Sequence, residues 1–243
     1  MSDDLLLKQN GRMLEATFNR TDDCSVSDAM AEELSEALRT AHETADAVLL
    51  RSAGADFCTG RARNADAGPP HPEAYTRRDE YDAIFGSYKA IRDAKVPVIG
   101  VIEGKCMGFG TAVASVCDVS FASSTAQFNI PEMDHNVMPT MVMSAVYDRM
   151  NRNAILWMTY SADFIDAAQA MAYGIVSRVV EAEKLNGEVE RFCRTLLGRP
   201  RPAILGLKEY LHSAPRMDEQ GAIDYARSLH SMVNTAAAMK KAH

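Results

Sequence analysis

Residues 96–140 read VPVIGVIEGKCMGFGTAVASVCDVSFASSTAQFNIPEMDHNVMPT, and the fold turns on them. Val96, Val98, Ile99, Val101 and Ile102 form an apolar, β-branched run, the composition of a buried strand. Gly104, Gly108 and Gly110 follow as a tight turn, and residues 111–116 are small or apolar, as in a helix packed closely on its neighbours. Strand, glycine turn and helix together present free backbone N–H groups to an anionic oxygen. A second strand at 119–122 leads to Phe128-Asn129-Ile130-Pro131-Glu132, where an acid emerges from apolar surroundings. A helix N-terminus followed by a carboxylate suits acyl-transfer or enolate chemistry.

Upstream, residues 5–8 and 13–18 read as two strands around the turn Asn10-Gly11, a strong hairpin signal. Ser27 caps a helix whose apolar positions Met30, Leu34, Ala37, Leu38 and Ala41 recur at helical spacing. Residues 47–50 are a buried strand, 52–57 a loop leading to Cys58-Thr59-Gly60, and 62–72 (ARNADAGPPHP) a Pro-rich loop. Residues 73–93 return to helical periodicity. Alternation of strand and helix predicts an α/β fold with crossover helices. Downstream, 141–146 and 155–158 read as helices, 166–173 as a short helix ended by Gly174, and 175–180 as a strand. Beyond it, 183–197, 203–211 and 221–239 are helical. The expected organisation is a core domain over 1–180 with a helical region over 181–243.

A chain of 243 residues, 47% of them hydrophobic, is long enough to bury a large core. A net charge of −7 with scattered basic residues argues against a nucleic-acid surface. No run approaches the roughly 18 consecutive apolar residues of a membrane span, and the acidic start lacks a signal-peptide pattern. Cys24, Cys58, Cys106, Cys117 and Cys193 are dispersed and odd in number, as in a reducing cytoplasm. None has a histidine at fixed spacing, and no metal-ligand pattern occurs, so neither a cysteine nucleophile nor a metal is expected.

Four segments resemble the crotonase, or enoyl-CoA hydratase/isomerase, superfamily. Residues 55–61 (ADFCTGR) resemble its xxFCAGxD loop, and 97–118 resemble PVIAAVxGxxxGGGxxLAxxCD. Residues 128–139 resemble FxxPExxxGxxP, and 167–180 resemble AxxxGLVxxVV. The resemblance implies repeated ββα units with a C-terminal helical region, assembled as a homotrimer or homohexamer. It implies an acyl-CoA substrate, with coenzyme A as part of the substrate and no separate cofactor. It places the two oxyanion-hole N–H donors on Arg61 and Phe109, and substrate contacts along Ala55, Phe57, Gly60, Gly108, Gly110 and Ala112.

Departures from the pattern shape the expected chemistry. Hydratases of this superfamily commonly use two glutamates around one water; the first position is Ala112 here, and the second is Glu132. A lone carboxylate suits proton shuttling, as in double-bond isomerisation. Asp134-His135-Asn136 replaces an apolar pair and a glycine, and His135 falls one turn after Glu132, making it a second candidate acid/base. The expected function is thioester-enolate chemistry by Glu132, as an isomerase or a hydratase-like lyase acting on an acyl-CoA. The alternatives are a catalytically silent binder of CoA ligands and a histidine-assisted hydrolase or decarboxylase. Arg61, Arg63, Lys89 and Lys208 are candidate contacts to CoA phosphates.

Overall fold

The computed structural model describes residues 3–62 and 72–240. Arg63 and His71, and the Pro-rich loop apart from its end residues Ala62 and Pro72, lie outside the described residues. At the centre is β4 (Val98–Ile102), buried along its whole length. Its side chains alternate: Val98 and Ile102 enter one apolar cluster, Ile99 and Val101 another on the opposite face. A strand covered on both faces reads as a continuous apolar run, which is why residues 96–102 lack polar positions.

Around it lies a six-stranded sheet. β1 (Leu5–Asn10) and β2 (Met13–Phe18) form the predicted hairpin. β2, β3 (Ala47–Ser52), β4, β6 (Val119–Ser123) and β9 (Arg178–Val180) then run parallel, in the order β1-β2-β3-β4-β6-β9. A second sheet of three short strands holds β5 (Lys105–Met107), β7 (Gln127–Asn129) and β8 (Ile165–Asp166). The repeat is visible in how the chain moves. After β4 it enters the small sheet as β5 and then forms α3 (Phe109–Val116). After β6 it enters the small sheet as β7, then reaches α4 (Thr140–Val146) through a 3-10 turn at Pro131–His135. After β3, Cys58 pairs with Cys106 at the edge of the small sheet before the chain reaches α2 (Asp82–Asp93). This is the α/β fold of repeated ββα units.

Helices cover both faces. α1 (Asp28–Thr40) starts where Ser27 Oγ accepts the N–H of Met30 at 3.2 Å, and it buries Met30, Ala31, Leu34 and Leu38. With α2 and α3 it covers one face. α5 (Arg152–Ser161) and α6 (Ala167–Tyr173) follow α4; Asp166 and Gln169 open α6 with a capping box, and Gly174 ends it at φ 89°. α7 (Leu185–Leu197) covers the other face with Leu185, Val189 and Cys193, and the ring of Phe192 lies 5.3 Å from that of Phe121. α8 (Arg201–Ser213) is fastened by two buried charges, Arg201 to Asp46 and Lys208 to Asp118, and α9 (Glu219–Thr235) packs on α8.

Three local features differ from the sequence expectation. The predicted helix over 73–93 begins as a 3-10 segment at Thr76–Tyr81 and becomes α-helical only from Asp82. The strand expected over 175–180 is confined to its last three residues. Residues 105–107 are a strand where only a turn was expected, because three residues carry too little periodicity to announce one.

Candidate active site

Two loops meet at Cys58. The N–H groups of Phe57 and Cys58 donate to the carbonyls of Glu103 and Lys105 at 2.8 and 3.1 Å, and Met107 N–H returns a bond to Cys58 at 2.8 Å. Gly104 (φ 61°) permits this approach: a Cβ there would fall 2.2 Å from the Ala55 carbonyl oxygen. Gly110 permits the next contact, since its Cβ would lie 2.8 Å from that of Cys58. The buried Cys58 sulfur accepts from the N–H of Gly60 at 3.3 Å. Cys58 therefore ties the loop before Arg61 to residues 105–107 and lies close against the helix start at Gly110. Burial pushes the Cys58 thiol up to about 12, so it stays a neutral thiol rather than a nucleophile.

This bridging leaves two donors free. Val26 N–H donates to Gly60 and Ala62 N–H to Val26, so the intervening Arg61 N–H faces the other way, with no acceptor among the described residues. Its side chain is held aside by a two-pronged ion pair with Asp28 (Nε to Oδ1, 2.7 Å) and lies over the Tyr81 ring. On the helix side, the first intrahelical bond runs from Ala112 N–H to Gly108, so the N–H groups of residues 109–111 lie outside the ladder. Gly110 N–H lies beside the Cys58 thiol, while Phe109 N–H has no acceptor among the described residues. Thr111 anchors the helix start, its hydroxyl reaching the carbonyls of Cys106 (2.8 Å) and Asn129 (2.9 Å).

Arg61 and Phe109 line one cavity of about 370 Å³ together with Glu132, His135, Gly60, Gly108 and Tyr88. Glu132 sits in the 3-10 turn that Pro131 opens and Asn136 closes at φ 57°. Residues three apart eclipse in a 3-10 turn, so His135 stacks on the Glu132 side. Oε2 of Glu132 is buried without a hydrogen-bond partner among the described residues. Burial raises its pKa; its own backbone N–H and the nearby His135 oppose that rise. Among the described residues Glu132 is the one carboxylate lining the cavity. Two free N–H donors and a desolvated carboxylate in one cavity can stabilise a developing oxyanion while moving a proton.

The description "Enoyl-CoA hydratase/isomerase" belongs to a family profile that matches residues 8–243. The chain belongs to the enoyl-CoA hydratase/isomerase family. A protein of Rhizobium meliloti named "Probable enoyl-CoA hydratase" is 26% identical over 229 residues, covering 93% of this chain and 87% of that protein. The carnitinyl-CoA dehydratase of Salmonella agona is 28% identical over 241 residues, covering 94% and 87%. The crystal structure of an enoyl-CoA hydratase/isomerase from Marinobacter aquaeolei superimposes with a TM-score of 0.89 at 25% identity, covering 97% of this chain and 92% of that one.

Within this hydratase/isomerase fold the sequence candidates divide. Arg61, Phe109, Glu132, His135, Gly60 and Gly108 share the cavity, whereas Ala55, Phe57, Gly110 and Ala112 do not line it. Ala55 is exposed on the loop against Gly104, and Phe57 is a core residue packed edge-on to Phe18. Gly110 and Ala112 are buried within α3. Asp134 is exposed and outside the cavity lining. Lys208 is unsuited to bind phosphate: it is 7% exposed, and its Nζ is committed to Asp118 (2.6 Å) and the Ile91 carbonyl (3.1 Å). Lys89 is ion-paired with Asp93. Sequence reasoning missed Tyr88, which lies inside the helical stretch expected over 73–93, along with Ile84, Met107, Val137, Met141 and Val142 in the lining. No helix among the described residues is long and apolar enough to cross a membrane.

Proposed function

We propose that the protein is an enzyme that stabilises an acyl-CoA thioester enolate between the backbone N–H groups of Arg61 and Phe109, with Glu132 as its single acid/base. The observation that carries this reading is the placement of two free donors and one buried, unpartnered carboxylate in the same cavity. Glu132 removes a proton from a carbon activated by the thioester, the charge moves onto the carbonyl oxygen, and the two donors bind it. A single donor aimed at such charge contributes about 3–4 kcal/mol in well-measured cases. Burial brings the carboxylate closer in basicity to a carbon acid, which favours transfer in both directions. With one carboxylate, proton return to a different carbon, a double-bond isomerisation, fits better than addition of water held between two acids.

Coenzyme A enters this scheme as the substrate's carrier, with no separate cofactor and with fatty acyl thioesters as the substrate class. The proposed assembly is a homotrimer or homohexamer, supported by exposed apolar side chains on the later helices, including Trp157, Tyr160, Leu207, Leu211 and Met232. The five buried free thiols support the cytoplasm as its compartment.

The test is exchange of acyl-chain protons with deuterated water, followed by mass spectrometry over saturated, unsaturated, 3-oxo and aromatic acyl-CoAs, with free CoA as control. Exchange is expected on at least one unsaturated thioester and is lost in Glu132→Gln. Ala112, where hydratases carry an acid, favours a second reading as a catalytically silent CoA-ligand binder. Binding without exchange across the whole panel establishes that reading and overturns the first.

A further inference from the structure

Tyr88 lies on α2 with its side chain 3% exposed, yet its hydroxyl has no hydrogen-bond partner among the described residues. A buried unsatisfied hydroxyl is costly, and phenylalanine would fill the same space without that cost. The adjacent buried hydroxyl on this helix behaves differently: Ser87 donates to the Ile84 carbonyl at 2.8 Å. The Tyr88 ring packs on that of Phe109, with centroids 5.4 Å apart, and both residues line the cavity that holds Glu132. Tyr88 also borders a second cavity of about 440 Å³, lined by Lys89, Arg92, His212 and Arg216. Glu132 and Arg61 of the first cavity are near enough to act on the phenol electrostatically.

Two residues that line this cavity thus each carry an unpartnered buried side-chain atom, of opposite kind: the Tyr88 hydroxyl and Oε2 of Glu132. Burial pushes the phenol well above its ordinary range, so it remains an O–H donor and does not compete with Glu132 as a base. We propose that Tyr88 is a specificity-determining residue whose hydroxyl donates to an oxygen carried by the acyl chain, selecting oxygen-substituted acyl thioesters over unsubstituted ones. This rests on the acyl-CoA reading above. A site that keeps a buried polar group for its ligand rejects an analogue lacking the matching atom, because that group is then left unpaired.

The experiment measures dissociation constants by calorimetry for free CoA, butanoyl-CoA and 3-oxobutanoyl-CoA, with the wild type and Tyr88→Phe. The wild type is expected to bind 3-oxobutanoyl-CoA at least about tenfold more tightly than butanoyl-CoA, the effect of roughly one hydrogen bond. Tyr88→Phe is expected to abolish that preference, weakening the 3-oxo thioester and leaving butanoyl-CoA and free CoA unchanged. Because no native bond is removed, the thermal midpoint of ligand-free Tyr88→Phe stays level or rises. Three results overturn the inference while sparing the acyl-CoA reading: no wild-type preference, equal weakening of both thioesters, or a clear fall in the ligand-free midpoint. Failure of all three ligands to bind the wild type overturns the acyl-CoA reading, and this inference falls with it.

Discussion

A Cβ added at Gly108 would sit 2.6 Å from Oε1 of Glu132. The start of α3 and the carboxylate from the next repeat therefore touch, with no room between them for a methyl group. Gly108 also has φ 47° and ψ −105°, a backbone conformation that side chains disfavour. Gly108→Ala meets both obstacles. Backbone strain alone is expected to cost about 1–3 kcal/mol in urea unfolding. Proton exchange is expected to fall by about 100-fold, because displacing a catalytic group by an ångström has that effect. A folded Gly108→Ala protein exchanging at the wild-type rate would show that Glu132 does not work from this position.

Cys58 joins the two donor-bearing segments without contributing a donor itself. Cys58→Ala removes the sulfur that accepts from Gly60 N–H and leaves that group unpaired inside the protein. The expected loss of stability is about 1–3 kcal/mol. The exchange rate is expected to fall while the dissociation constant for free CoA holds, since the damage lies beside the proposed oxyanion donors Arg61 and Phe109. Equal losses in binding and rate would mean that Cys58 serves the general packing of the loop.

Much of this arrangement was legible in the sequence, and the reasons are local. β4 announced itself because both its faces are buried, leaving no polar position between Val98 and Ile102. Ser27, Asn10-Gly11 and Gly174 acted as punctuation whose chemistry does not depend on distant residues. Glu132 stood out as an acid after Phe128-Asn129-Ile130-Pro131. What stayed hidden depends on contacts between distant segments. β5 exists because Cys58 and the strand at Gln127–Asn129 supply its partners. Tyr88 has the spacing of a core residue, and only the packed structure reveals a hydroxyl with nothing to bond. Lys208 read as a surface cation because its partner, Asp118, is 90 residues away.

That ion pair gives a structural prediction independent of the chemistry. Lys208 Nζ bonds Asp118 Oδ2, which also accepts the N–H of Val98, so one carboxylate links α8, β4 and the start of β6. Lys208→Met keeps the apolar stem and deletes the charge. Breaking one side of a buried pair typically costs about 3–5 kcal/mol, and partial exposure of Asp118 reduces the expected loss here to about 2–3 kcal/mol. Urea unfolding of Lys208→Met provides the number, with CoA binding expected to be unchanged in the folded protein. Selective loss of CoA binding without loss of stability would return Lys208 to the list of phosphate contacts.

The pH dependence of exchange tests the Glu132–His135 relationship. Glu132 must be ionised to take a proton, and burial raises its pKa above the ordinary 4.5. The rate therefore falls as pH drops through the raised value, and the acid limb lies above 4.5. His135 opposes that rise. His135→Ala removes the opposition, so the limb moves to higher pH while activity on its plateau persists. Glu132→Gln loses the limb altogether, with a rate reduction of roughly 10²–10⁴. Stability follows the opposite sign: a carboxyl raised on folding favours the native state when protonated, and that advantage disappears as pH rises through the folded pKa. Glu132→Gln is therefore expected to be more stable than the wild type at neutral pH, with the difference shrinking in acid. An acid limb unmoved by His135→Ala rejects the coupling. An inactive His135→Ala beside a nearly wild-type Glu132→Gln transfers the acid/base role to the histidine.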